Sequence, residues 1–142
     1  MIRHILADTP LESEFDGVGV LGDALLAPHR SYLSDITMLQ GGTTVKGMAH
    51  ITGGGLIENV PRILPADIDA QIDRSAWDVP ALFQLLQRKG DVDPLEMYRV
   101  FNMGIGMIVI IPSADVEQAL QSDVECTLIG EVAPGSGRVI LD

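Results

Sequence analysis

Three consecutive glycines in "AHITGGGLIENVPRILP", Ala49 to Pro65, constrain this chain more than any other feature. Each glycine loses extra backbone freedom on folding, at a cost of roughly 0.5–1 kcal/mol relative to alanine. A domain keeps three together only where bare backbone is needed. Before them, "TTVKGMAHI" reads as a strand. After them, "LIENVPRIL" has apolar residues at 56, 57, 60, 63 and 64 and reads as a short helix distorted by Pro61. A strand–glycine–helix junction has two uses. Its N–H groups can converge on an oxyanion, usually phosphate, helped by the positive end of the helix. Alternatively, it is a tight turn where two backbones approach closely. The spacing matches neither the dinucleotide fingerprint nor the P-loop, and both readings stay open.

Charge favours the first use locally. The chain carries a formal charge of −11, which argues against nucleic acid and against anionic membrane. From Pro28 to Arg62, however, Arg30, Lys46 and Arg62 outnumber Asp35 and Glu58, a net +1 that leaves −12 for the remainder. The glycines lie in the one stretch that would accept an anionic small molecule. Arg62 offers a forked donor, Thr52 a hydroxyl, and Asn59 an amide that could face the same pocket. His50, at the strand end, could contact a substrate or move a proton, or could be hydrogen-bonded inside the domain. His4 and His29 have no evident partner. Histidines and carboxylates do not cluster at ligand spacing, so no metal site made by the protein alone is expected.

The remaining chain predicts an α+β fold, a mixed sheet covered by helices, in a single domain over residues 1–142. "MIRHILA" has helical spacing without a start cap. "LGDALLAP" reads as a short strand and "DAQID" as another. "VPALFQLLQRKG" carries a stripe at Val79, Leu82, Phe83 and Leu86, with Gly90 as its stop. Asp93-Pro94 with Glu96 opens a further helix. "MGIGMIVIIP" reads as a buried strand, and Ser113 as the cap of "ADVEQALQ". "CTLIGEVA", "PGSG" and "RVILD" read as a hairpin. Asn102, Gly104 and Gly106 suit close packing at a helix–strand junction. Trp77, Phe83 and Cys126 read as core. A lone cysteine forbids an internal disulfide and is compatible with a reducing cytoplasm. No apolar run is long enough to span a bilayer, and the first residues lack the apolar region of a signal peptide.

"AHITGGGLIENVPRILP" resembles the signature of the phosphoribosylformylglycinamidine cyclo-ligases, or AIR synthetases. "LGDALLAPHRSYL" and "EMYRVFNMGIGMIVIIP" resemble the segments on either side, so the likeness covers nearly the whole chain. It is a likeness to the C-terminal domain alone. The family's N-terminal domain, which holds ATP and magnesium and much of a dimer interface, would be missing. The resemblance implies a ligase of purine biosynthesis acting in the cytoplasm by ATP-dependent ring closure on a phosphorylated ribonucleotide. It implies that Gly53, Gly54 and Gly55 bind a phosphate, that His50 and Thr52 sit beside the reacting centre, with His50 the catalytic candidate, and that Asn59 and Arg62 complete the anion pocket. The implied partners are the substrate and the missing domain, and a homodimer is compatible. ATP and magnesium would be held mainly elsewhere, with no tightly bound cofactor here, and this chain alone would not turn over. The alternative is a non-catalytic module that binds phosphate or docks to a partner.

Overall fold

A computed structural model describes all 142 residues. Helix α1 (Ile2–Ile5) is followed by a small ribbon, β1 (Glu14–Phe15) and β2 (Gly19–Val20), and by helices α2 (Leu21–Leu26) and α3 (Leu33–Gly42). Strand β3 (Gly47–His50) runs into the glycines and helix α4 (Gly55–Asn59), which tightens into a 3-10 turn at Val60–Ile63. Then come β4 (Ile68–Ile72), α5 (Ala81–Gly90), α6 (Pro94–Val100), β5 (Met107–Ile110), α7 (Val116–Leu120), β6 (Gly130–Pro134) and β7 (Val139–Leu141).

The fold is α+β as expected, but its strands divide among three small sheets. β3 pairs antiparallel with β5, setting Ala49 opposite Ile108 and His50 opposite Met107. Successive residues of a strand face opposite sides, so this ribbon has one face on the main core and a second that is only partly covered, with Met48 and His50 exposed on it. Ala49 and Ile108 enter the main core with Leu21, Ile51, Leu56, Val60, Leu86 and Met97. Val109 packs the other way, against Leu39 of α3, Ala119 of α7 and Val124.

The mixed sheet has the order β6-β4-β7, β4 running antiparallel to β6 and parallel to β7. The expected hairpin of β6 and β7 is therefore corrected: β4 lies between them. Asp69, only 5% exposed, organises the crossing. Its carboxylate accepts hydrogen bonds from the Ser136 and Arg138 amides at 2.7 and 2.8 Å. Those amides hold its pKa below the ordinary carboxylate value.

Local chemistry explains the other differences. "LGDALL" is helix, not strand: Leu21, Ala24 and Leu25 fall at i, i+3, i+4, and none is β-branched. α3 arises where no element was expected. Only its Leu39 is buried, while Leu33 is 75% exposed, so it lacks an apolar stripe. Ser113 opens a 3-10 turn and makes no capping bond. The buried strand is confined to Met107–Ile110, because Met103 and Gly104 turn the chain with φ of +52° and +100°. Asp93 does cap α6, accepting from the Leu95 and Glu96 amides. Cys126, expected in the core, is exposed. No helix is long and apolar enough to cross a membrane.

Candidate functional site

The three glycines differ in what the fold demands of them. At Gly55 a Cβ would overlap the Tyr98 carbonyl oxygen and lie 2.7 Å from that of Phe101, so α4 sits directly on the end of α6. Close backbone approach is thus what Gly55 provides. Gly54 has φ +97°, a conformation that side chains disfavour, and the Glu58 carboxylate lies against it. Gly53 is exposed, with open space where a Cβ would stand. Gly53 and Thr52 border a cleft of about 220 Å³ completed by Ile51, Phe83, Val100, Phe101 and Asn102.

The loop's polar groups are partitioned by direction. Its carbonyls are all used internally. That of Thr52 accepts from the Gly55 amide, that of Gly54 from the Glu58 amide, and those of Gly53 and Gly55 from the Asn59 side chain. The amides of Thr52, Gly53 and Gly54 donate to nothing within the protein. Donors that are unspent and reachable from solvent, above carbonyls that are fully spent, suit an oxyanion and disfavour a cation.

The expected site residues separate. Thr52 and Gly53 meet in the cleft. Asn59, 5% exposed, lies behind the loop: Nδ2 donates to the Gly53 carbonyl at 3.2 Å and the Gly55 carbonyl at 2.8 Å, which commits both amide protons. Its Oδ1 accepts from Arg62 Nη1 at 3.2 Å. Arg62 is therefore tied to the loop through Asn59 with further donors free. His50 is exposed on the ribbon face opposite Ala49 and is not among the cleft residues. Its ring is 5.4 Å from that of His29 and 6.2 Å from that of Tyr32. Gly106 admits this cluster, since a Cβ there would overlap the Tyr32 hydroxyl. Arg30, counted in the positive stretch, is spent on Glu125 and Asp35 at 2.8 and 2.9 Å, and those bonds raise its pKa.

Five cleft residues were not assigned from sequence as ligand contacts: Ile51, Phe83, Val100, Phe101 and Asn102. Phe83 sits in an apolar stripe, which signals core. The 5.5 Å contact between the Phe83 and Phe101 rings forms one lip of the cleft. Asn102 turns its Oδ1 to the Gly104 amide and leaves its Nδ2 uncommitted. The repeated Asn-x-Gly and Gly-x-Gly spacing was the available signal.

Residues 1–142 match the family described as "AIR synthase related protein, C-terminal domain". The chain is 51% identical over 122 residues to a phosphoribosylformylglycinamidine cyclo-ligase of Chromobacterium violaceum, covering 84% of this chain and 35% of that one. It is 49% identical over 125 residues to the enzyme of that name from a Thermoanaerobacter species, covering 85% and 37%. It is 50% identical over 119 residues to that of Neisseria meningitidis, covering 82% and 35%. The chain spans about a third of the length of these curated relatives. With its whole length matched, this protein belongs to the AIR synthase related family, in which it corresponds to the C-terminal domain.

Proposed function

We propose that the chain is the C-terminal, substrate-holding half of a phosphoribosylformylglycinamidine cyclo-ligase. In that reaction ATP phosphorylates the formyl oxygen of formylglycinamidine ribonucleotide. An amidine nitrogen then attacks the formyl carbon, and phosphate departs to leave aminoimidazole ribonucleotide and ADP. The observation that carries the proposal is the unspent, outward set of amides at Thr52, Gly53 and Gly54. They receive a phosphate of the substrate, aided by the Thr52 hydroxyl and the free donors of Arg62. Such charge-assisted bonds from backbone amides are strong and direction-specific.

His50 is assigned to the reacting end of the same substrate. Two residues, Ile51 and Thr52, lie between it and Gly53, so the two positions are at most about 11 Å apart along extended chain. That span is of the order of a ribose phosphate, so one ligand can reach both. The exposed imidazole and its aromatic neighbours support this placement.

The local donors do not fit magnesium. No three His, Cys, Asp or Glu side chains converge in the chain, and Glu58 brings a single carboxylate to the loop. Magnesium and ATP are therefore assigned to the other two-thirds of the full-length enzyme, and the chain alone does not turn over. Its compartment is the cytoplasm, where such nucleotides are made.

Titration with the ribonucleotide, followed by amide resonances, tests the loop. Gly53 and Gly54 are expected to shift most. Silence of both toward every phosphate compound would overturn the assignment. Mixing with the separately produced remainder of the Chromobacterium violaceum relative is expected to yield ADP only when both parts are present.

A further inference from the structure

Asn59 is buried, saturated with protein partners and unable to donate to a ligand, yet it holds the loop at two points. We propose that Asn59 is the positioning residue that aims the amides of the glycine loop, and that it couples their direction to Arg62. This inference rests on the phosphate-binding reading of the loop for its consequence, but not for its geometry.

The geometry follows from the planarity of the peptide unit. In a trans peptide the C=O of one residue and the N–H of the next point in opposite directions. No peptide bond in this chain is cis. The Gly53 carbonyl is drawn toward Asn59 Nδ2, so the Gly54 N–H of the same unit must point away from Asn59. The Gly53 carbonyl has no other partner in the protein. With glycine on both sides, rotation of that unit meets little steric resistance. Without Asn59 the Gly53–Gly54 unit can flip, presenting a carbonyl oxygen where a donor had been. An anion would then meet repulsion instead of a hydrogen bond. The neighbouring units cannot do this as easily: the Gly54 carbonyl is held by the Glu58 amide, and the Thr52 carbonyl by that of Gly55.

The third Asn59 bond gives the coupling. Oδ1 accepts from Arg62 Nη1, so the loop and the guanidinium are fixed to one side chain. Arg62 retains free donors while its position is set relative to the Gly54 amide. Asn59 thus supplies geometry to two groups that touch the anion and touches none of it.

Asn59→Asp tests this closely. It has nearly the same shape and can still accept from Arg62, but it has lost the donors to both carbonyls. Without ligand, the Gly54 N–H residual dipolar coupling is expected to change, while those of β4 and α5 stay as in the wild type. An unchanged Gly54 orientation in a folded Asn59→Asp protein overturns the proposal. With inorganic phosphate as probe, Asn59→Asp is expected to bind at least about tenfold more weakly, as loss of one directed donor implies. Asn59→Ser, uncharged and too short to reach both carbonyls, is expected to do the same, which separates geometry from the added charge.

A measurement on the wild type needs no variant to fold. The side-chain amide protons of Asn59 are expected to exchange with solvent at least about tenfold more slowly than those of Asn102, whose Nδ2 is uncommitted. Equal rates overturn the proposal. Failure of the wild type to bind phosphate, with the exchange and orientation results as expected, counts against the phosphate reading and leaves the positioning role standing.

Discussion

Two turns in this molecule gather backbone amides, and they differ in who supplies the anion. At the crossing between β6 and β7, the Ser136 and Arg138 amides converge on the Asp69 carboxylate. At the junction of β3 and α4, the Thr52, Gly53 and Gly54 amides have no acceptor within the protein. Both turns depend on glycine. A Cβ at Gly135 would overlap the Asp69 carboxylate, whereas a Cβ at Gly53 would meet no atom. The first turn is closed around an internal anion and serves topology. The second is held open from behind, which suits the ligand role proposed for it. A cluster of amides is therefore informative only together with an account of its acceptors.

The sharpest way to break this comparison is to empty the first turn. Asp69→Ala removes the shared acceptor of two part-buried amides and leaves a gap at a side chain that is itself buried, and losing such paired donors is costly. It is expected to lower Tm more than any substitution in the glycine loop does, with loss of β-sheet signal in circular dichroism. Acid should act in the same direction. The Asp69 pKa is lowered in the folded chain, chiefly by the Ser136 and then the Arg138 amide. A lowered pKa means stability that is present above the ordinary carboxylate value of about 3.9 and is lost as pH falls through the folded value. Asp73 adds to this with the same sign, through the Ser75 hydroxyl and amide. Chemical denaturation of wild type and Asp69→Asn across pH 2 to 7 checks it. The gap between them should narrow as pH falls below about 4. A constant gap would show that the carboxylate charge is not what closes the turn.

Next in size is a contrast within the triplet. Gly55→Ala forces a methyl group into the Tyr98 carbonyl oxygen at a residue with φ +55°. A cost of about 3 kcal/mol is expected by thermal or urea unfolding, in the range of strain plus overpacking. Gly53→Ala meets open space at a φ outside the left-handed region. Its Tm should stay within about 2 °C of the wild type, as surface substitutions do. Its effect should fall on ligand instead, because the methyl group projects where an anion would approach. Equal losses of stability at the two positions would erase the distinction between a packing glycine and an open one.

The residues explain how much of this was legible in the sequence. The strand–glycine–helix junction was legible because its signals are local: an apolar strand, three glycines, then helical spacing broken by Pro61. The Asp93 cap was legible for the same reason. The β6-β4-β7 order was not. A Pro-Gly-Ser-Gly turn between two strands is identical to a hairpin signal, and the deciding residue, Asp69, lies more than sixty positions earlier. α3 was illegible because its single buried residue gives no periodicity. In the site, the meeting of Thr52 and Gly53 could be anticipated, since they are neighbours in the chain. The inward commitment of Asn59 could not, since it depends on which way one side chain turns under the loop. Phe83 and Asn102 reach the cleft only through the packing of α5 and of the turn after α6 on the glycine loop, which no local pattern records. The placement of His50 with His29 and Tyr32 depends on the segment between α2 and α3 returning to the end of β3, a long-range contact that no local pattern records.

The smallest expected effect sharpens the comparison most finely. The open turn is not wholly free of protein anions: Glu58 Oε2 stands 2.7 Å from the place a Gly54 Cβ would take. It is exposed and on the first turn of α4, so its charge is screened but near. It does not accept from the loop amides, which is what separates it from Asp69. A unit charge some 5–7 Å from a bound phosphate opposes binding by a fraction of a kcal/mol up to about 1 kcal/mol in a largely aqueous surrounding. Glu58→Gln is therefore expected to tighten inorganic phosphate binding about threefold at low salt. The advantage should shrink as salt is raised past the range where the Debye length falls below the separation. Unchanged or weaker binding by Glu58→Gln would mean that the Glu58 carboxylate supports the anion's site, through a shared cation or a structural bond. The open turn would then have to be regarded as partly closed by the protein itself.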